Sequence, residues 1–267
     1  MNNIATAAET IKITSKKQYE LSGKVISLPE YDYECVEVYA PQKGEELLKK
    51  DFSEKFGEMC RISVTNEDSF QAARRFENAL VLNFANAHHA GGGFRTGANA
   101  QEESLCRCST LYASISSRAA AEMYKYNNTH KSSVESDYML LSPYVCVFRE
   151  ADCTLSLEPF VTSVITIPAP NRRGAAIFAS ARTVEETFLR RIRILMCIAA
   201  EKGYRSLVLG AWGCGAFGNS PQKVSEYFRR VLIDEGYGRY FEEVVFAVYG
   251  CSDGKNIRAF REAFDCS

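Results

Sequence analysis

Two adjacent carboxylates, Glu102 and Glu103, follow Gln101 at what reads as the start of a helix. Neighbours on a helix point about 100° apart. One carboxyl can therefore face a reacting centre while the other holds a hydroxyl beside it. Glycoside cleavage needs an acid for the leaving oxygen and a base for water. Acidic residues in a first turn also favour the helix dipole, so the triplet alone does not decide.

Two glycine loops supply context. Asn83-Phe84-Ala85-Asn86 leads through His88-His89 to Gly91-Gly92-Gly93, directly after a buried strand. Three glycines strip a stretch of backbone of side chains and let a ligand approach it. In open α/β sheets, ligands sit beyond the C-terminal ends of strands. The second loop runs from Gly210 through Gly213, Cys214, Gly215, Ala216, Phe217 and Gly218 to Pro221. There Ser220 caps with Pro221 at the first helical position, or Asn219 caps with Gln222. Free N–H groups at such a helix start suit a diphosphate.

Gly213, Gly215 and Gly218 also fit G-x-G-x-x-G, which raises a rival, an NAD-dependent oxidoreductase. That motif usually opens a domain with a second βαβ unit downstream, and too little chain follows Gly218 for one. The diphosphate is kept and the redox chemistry dropped. There is no Walker A sequence, which excludes P-loop nucleotide hydrolysis. His88-His89 suggests a metal or a general base, but with no carboxylate partner in view the pair is expected to be solvated. The 10 cysteines, Cys35 to Cys266, include no C-x-x-C, and there are only 3 histidines. A zinc site is not expected, and the thiols should be reduced and structural. Cys106 and Cys108 would point apart on a helix. No metal and no cofactor is expected.

The elements that must position these residues alternate. Helical spacing covers 4–14, with Asn3 as cap; a hairpin turns at Ser22-Gly23; a strand lies at 36–39 and a helix at 45–52. From residue 60, strands are expected at 61–64, 79–84, 144–149, 161–167, 206–212 and 243–249. Helices are expected at 68–76, with a Thr65–Asp68 capping box, and at 101–117, 183–202, 221–234 and 255–264. Strand alternating with helix implies an α/β fold with a largely parallel sheet covered on both faces. Residues 1–59 read as a helix and hairpin extension packed on a compact core of 60–267, to which they can add antiparallel edge strands.

Composition agrees. The chain has 267 residues, 46% apolar and 24% charged, enough for a full core and against disorder. Lys plus Arg is 32 against 33 Asp plus Glu, so no global basic field drives duplex binding. Arg190-Arg191-x-Arg193 and Arg229-Arg230 are expected on solvated helix faces. The start, Met1-Asn2-Asn3-Ile4, lacks a signal peptide's basic and apolar regions, and no apolar run approaches about 20 residues. A cytoplasmic protein is expected, or a nuclear one in a eukaryote.

Together, Gly91-Gly92-Gly93, the spacer Phe94 to Ala100, and Gln101-Glu102-Glu103 resemble the bacterial-type (microbial) poly(ADP-ribose) glycohydrolases of the macrodomain superfamily. Ser104-Leu105-Cys106-Arg107, Ser109-Thr110-Leu111-Tyr112, Pro168-Ala169-Pro170-Asn171 and Gly210-Ala211-Trp212-Gly213-Cys214-Gly215 extend the likeness over most of the chain. It departs at Ala90, where many relatives have Pro, and at Cys108, where Arg is usual. The resemblance implies a three-layer macrodomain-like mixed sheet with helices on both faces. It implies Glu103 as catalytic acid/base and Glu102 as holder of the ribose hydroxyls. Gln101 joins them as the third residue of the motif at the substrate. Gly91, Gly92 and Gly93 would crowd the scissile ribose, Gly213 to Gly218 would cradle the diphosphate, and Phe217 and Asn86 would contact the distal ribose. Glu67 or Asp68 would reach adenine. The implied substrate is poly(ADP-ribose) or an ADP-ribosylated protein and the product is ADP-ribose. No membrane and no sequence-specific nucleic acid is implied as a partner, and a monomer is expected. Mono-ADP-ribosyl-protein hydrolysis and a non-catalytic ADP-ribose reader are the alternatives; a reader would lose the acid pair.

Overall fold

The computed structural model describes residues 2–55 and 57–264; the expectations for Met1 and Cys266 fall outside them. Helix α1 (Asn3–Lys16) is capped by Asn2, whose side chain accepts from the Ile4 and Ala5 N–H groups, and not by Asn3. Strands β1 (Gln18–Leu21) and β2 (Lys24–Ser27) form the expected hairpin. Its turn residues Ser22 and Gly23 both have positive φ, 53° and 73°, which matches the twist of the paired strands. Next come β3 (Glu37–Tyr39) and α2 (Pro41–Leu47). Helix α2 begins earlier than expected because Pro41 takes its first turn, where no N–H is needed.

Strand β4 (Arg61–Thr65) leads to α3 (Ser69–Ala73), whose capping box is Asp68 with Gln71 and not Thr65 with Asp68. Strand β5 is Ala79–Ala85. The helix expected over 101–117 is two: α4 (Gln101–Cys108) and α5 (Leu111–Ile115). They part at Ser109, whose hydroxyl donates to Leu105 O at 2.8 Å and accepts from Leu111 N at 3.1 Å. Its extended backbone makes a bridge with Val147. Helix α6 (Ala121–Thr129) was not foreseen. Strands β6 (Met139–Arg149) and β7 (Leu155–Pro168) run longer than expected. Pro143 and Pro159 mask their first halves, and the β6–β7 ladder shifts register between Ser142 and Val145, as a proline requires. The chain closes with α7 (Ala181–Lys202), β8 (Ser206–Leu209), α8 (Pro221–Arg229, continued as a π-helical turn to Asp234), β9 (Glu243–Ala247) and α9 (Lys255–Phe264).

Seven strands form one mixed sheet in the order β3-β6-β7-β5-β8-β9-β4. The pairs from β7 to β4 are parallel, and β6 pairs antiparallel with both β3 and β7. Strand side chains alternate between two cores. Leu80, Leu82, Ile165, Leu207 and Phe246 face a layer that includes α2, α7, α8 and α9. Val81, Val164, Val208 and Val245 face one that includes α1, α3, α4, α5 and α6. The result is a three-layer fold with helices on both faces of a mixed sheet. Strand β3 joins the main sheet as an antiparallel edge strand contributed by the N-terminal segment. No helix among the described residues is long and apolar enough to cross a membrane.

Arg191 is not on a solvated face. It is fully buried, and its Nε donates to Asp137 Oδ1 at 2.8 Å while its terminal nitrogens donate to Pro168 O and Val134 O. Arg190 holds the other Asp137 oxygen. Burial raises the Asp137 pKa, but the charges and hydrogen bonds of Arg191 and Arg190 outweigh it and hold the carboxyl below its ordinary value. Removing one partner of a buried pair strands the other charge. Asp137→Ala is therefore expected to cost about 3–5 kcal/mol of unfolding free energy, read by urea denaturation; a cost within the ordinary surface range would contradict this.

Candidate active site

Strand β5 outruns its neighbour β8. Their register ends at Val81 opposite Val208, while β7 pairs with β5 as far as Ala85. The β8-side edge of β5 beyond Val81 would leave main-chain groups bare at buried Leu82 and half-buried Phe84, which is costly where water is kept out. Gln101 fills it. Its Oε1 accepts from Phe84 N at 2.9 Å and its Nε2 donates to Leu82 O at 2.9 Å, as one residue of a parallel strand would. The same nitrogen reaches Ser69 Oγ at 3.1 Å. The start of α4 is thereby fixed to the end of β5.

That docking sets both carboxyls. Glu102 is 2% exposed; its Oε2 accepts from Asn86 N at 2.8 Å and its Oε1 from Asn83 Nδ2 at 3.2 Å. Burial pushes its carboxyl up to about 8, with the nearby Glu103 adding to the rise, against the lowering hydrogen bonds of Asn86 and Asn83. Glu103 is 7% exposed, and its two oxygens accept from Gly93 N and Ala100 N, both at 2.9 Å. The bond to Ala100 is half of a capping box, so Glu103 also holds the helix end. Both carboxyls reach the wall of a cleft of about 590 Å³ at the C-terminal ends of the parallel strands.

The cleft gathers most of the expected residues. Asn86, Gln101, Glu102, Glu103, Gly213, Gly215, Ala216 and Phe217 line it. Gly91, Gly92 and Gly93 are not on this wall. Gly92 has φ 53°, and a Cβ there would lie 2.5 Å from Glu103 Oε1, so the glycine loop closes over the carboxyl from behind. Cys214 is buried, and Gly218 packs on Arg173. Glu67 is held by Arg75 in a two-pronged ion pair at 2.7 and 2.8 Å and is not brought to the cleft; its neighbour Asp68 is. His88 is not free of carboxylates: its Nε2 lies 3.5 Å from Glu135 Oε1, and its Nδ1 3.0 Å from Asn128 Oδ1.

In the second glycine loop, Asn219 Nδ2 donates to Pro170 O and Gly213 O at 2.8 and 3.0 Å, and Asn219 N also reaches Gly213 O. Ser220, and not Asn219, caps α8. Among the described residues, the N–H groups of Gly215, Ala216 and Phe217 meet no protein acceptor, and all three residues line the cleft. Asn83 is a polar residue of the site that the motifs do not mark. Asn83 is fully buried on β5 and binds Thr166 Oγ1 at 3.0 Å as well as Glu102. A polar side chain inside an apolar strand run was its one signal.

Fold and cleft together define a macrodomain-like protein with a pair of carboxyls facing a glycine loop whose Gly215, Ala216 and Phe217 N–H groups are free of protein acceptors among the described residues. The family model for the microbial-type PARG catalytic domain matches residues 7–150. The chain belongs to this family of poly(ADP-ribose) glycohydrolases (PARG), and it is a glycosidase. It is similar to the glycohydrolase from Thermomonospora curvata, with 38% identity and a TM-score of 0.89 over 98% of this chain and 99% of that one. The same enzyme bound to the inhibitor ADP-HPD matches at 38% identity and a TM-score of 0.88, over 98% and 99% of the two chains. The Deinococcus radiodurans enzyme in complex with ADP-ribose matches at 36% identity and a TM-score of 0.78, over 86% and 94%. No curated protein sequence matches significantly.

Gly92→Ala should displace the Glu103 carboxyl, since both the added Cβ and the positive φ oppose the substitution. Misplacement by about 1 Å costs on the order of 10²-fold in rate, so with Glu103 in the catalytic role expected from the sequence, steady-state turnover of the folded variant should fall by about that much; unchanged turnover would contradict that role. Glu102 gives a pH signature. A carboxyl raised from 4.5 to about 8 in the folded state binds more protons there than in the unfolded chain. Its contribution to stability is present below the unfolded value and is lost as pH rises through the folded one. Between about pH 5 and 8, wild type should lose stability relative to Glu102→Gln, by at most about 1.4 kcal/mol per pH unit. Parallel denaturation series check this, and equal slopes would contradict it.

Proposed function

We propose that the cleft binds an ADP-ribose unit at the end of a poly(ADP-ribose) chain and that Glu103 hydrolyses the ribose–ribose bond, releasing ADP-ribose. The observation that carries this reading is the Glu103 carboxyl, clamped between Gly93 N and Ala100 N at the wall of a cleft whose other side offers unpartnered loop amides. The N–H groups of Gly215, Ala216 and Phe217 suit the diphosphate, as at other glycine loops before helices. Phe217 packs on the distal ribose. Asn86 spends its Oδ1 on the N–H groups of His88 and His89, which leaves its amide nitrogen for a hydroxyl of that ribose. Asp68 takes over the adenine-side role considered for Glu67.

In the first step protonated Glu103 gives its proton to the oxygen leaving the anomeric carbon. The oxocarbenium ion that forms lies beside the diphosphate. The Glu103 carboxylate then takes a proton from the attacking water, and the cycle closes. Glu102, neutral below about pH 8, brings no charge against the diphosphate and can donate its O–H to a ribose hydroxyl. Gln101 acts by positioning: its amide is committed to β5, and it sets the start of the helix that carries both acids.

Glu103→Gln separates catalysis from capping, because glutamine also serves at that capping position but cannot cycle a proton. Turnover on defined ADP-ribose polymer should fall by about 10²- to 10⁴-fold, with ADP-ribose affinity by calorimetry little changed. Release of ADP-ribose, resolved by mass, should exceed release from mono-ADP-ribosylated protein. A near-wild-type rate for Glu103→Gln, with Glu102→Gln inactive, would reverse the two roles.

A further inference from the structure

Cys108 ends helix α4, whose first turn carries Glu102 and Glu103, and it lies on the cleft wall. Its sulfur is 3.9 Å from that of Cys153, 45 residues on in the turn between β6 and β7. Both thiols are buried and free. Cys153 has φ 65°, a conformation that a non-glycine residue rarely adopts. The turn that imposes it is closed by Cys153 N on Glu150 O at 2.8 Å and Glu150 N on Thr154 O at 2.9 Å. Arg149 Nη1 holds Cys153 O at 2.8 Å, and the one S–H of Cys108 is shared between Glu150 O, at 3.3 Å, and the Cys153 sulfur. The chain thus holds one sulfur against the other. The hydrogen bond from Cys108, with Arg107 and Arg149 close by, draws the Cys153 thiol below its ordinary value against the opposing effect of burial. The same hydrogen bond and burial push Cys108 up.

We propose that Cys108 and Cys153 are a redox-active pair that a peroxide oxidises to an intramolecular disulfide in the wall of the cleft. The Cys153 thiolate attacks a peroxide oxygen, the O–O bond breaks, and Cys153 becomes a sulfenic acid with release of hydroxide. Cys108 sulfur then attacks Cys153 sulfur; the S–S bond forms, the S–O bond breaks, and the hydroxyl leaves as water with a proton. The two thiols lose two electrons and two protons, and one hydrogen peroxide becomes two waters. The sulfurs must close from 3.9 Å to about 2.05 Å. The 150–154 turn lies beyond the last ladder pair, Arg149 with Leu155, and can yield. The end of α4 is already tied to β6 through Thr110 N on Cys146 O at 3.0 Å, so the new bond joins parts that are adjacent in the reduced protein.

The test uses the full chain, reduced, freed of reductant and treated with hydrogen peroxide. Remaining thiols are alkylated, and the protein is digested without reductant for mass analysis. The expected product is a linked peptide pair containing Cys108 and Cys153, two hydrogens lighter than the separate peptides and split by dithiothreitol. The melting temperature should rise on oxidation, since a cross-link restricts the unfolded chain, and fall back on reduction. Cys108→Ser and Cys153→Ser should each abolish both changes. Recovery of both cysteines alkylated after oxidation, a sulfinic acid at Cys153 with Cys108 free, or linkage only through other residues such as exposed Cys251 would each overturn the proposal. If the serine variants do not fold, the wild-type peptide map decides alone.

Discussion

The site depends on one mismatch of strand lengths. Beyond Val81, β5 has a sheet partner on one side only, and the open edge lies at buried Leu82 and half-buried Phe84. Gln101 takes the place of a missing strand residue, so the helix start cannot slide or turn without uncovering Leu82 O and Phe84 N. Such a bond is worth only about 1 kcal/mol net, but leaving its buried partner unmade costs about 1–3 kcal/mol. The stricter consequence is geometric. With Gln101 pinned, the next two side chains have no choice of direction, and two acids are delivered to one spot.

Placing two carboxyls there has an electrostatic cost, which the surroundings divide unequally. Glu102 is the deeper, and burial rather than its neighbour is the main cause of its raised pKa. Glu103 takes both its hydrogen bonds from main-chain donors on either side of the spacer, one from the glycine loop and one from the helix entry. The spacer itself is held by buried Arg107, which donates to Ala98 O and Asn99 Oδ1, both at 2.6 Å. The catalytic role proposed for Glu103 and its capping role therefore fall to one side chain.

What could be read from the sequence was local. Glycines, adjacent acids and alternating strand and helix patterns depend on neighbouring residues. The two loops, the acid pair and the strand–helix order were therefore visible. The misreadings were tertiary. Arg191 looked solvated because its partner Asp137 lies 54 residues away. The partner of His88, Glu135, comes from a different segment. Glu67 and Asp68 are adjacent, and only Arg75, one helix later, decides which of them is drawn from the cleft. Helix 101–117 broke at Ser109 because its hydroxyl competes for main-chain groups at both sides and β6 offers a bridge. Pro143 and Pro159 hid half of β6 and β7, since proline interrupts a strand pattern without ending the strand.

The N-terminal segment shows where a compositional boundary and a mechanical one differ. It read as an appendage because its elements are short and hairpin-rich. Yet α1 holds both ends of the stretch that carries the acids. Asn3 Nδ2 donates to Gly97 O at 3.1 Å within the spacer, and Thr10 Oγ1 donates to Arg107 O at 2.7 Å near the end of α4. Gly97 has φ 88°, and a Cβ there would lie 3.1 Å from Ile4, so the loop and the helix are fitted to each other. Arg149 extends the brace, reaching Thr10 Oγ1 at 3.3 Å and Cys153 O at 2.8 Å. A helix that touches none of the expected substrate groups still limits how far the acids can move, because the segment they sit on is fastened at both ends.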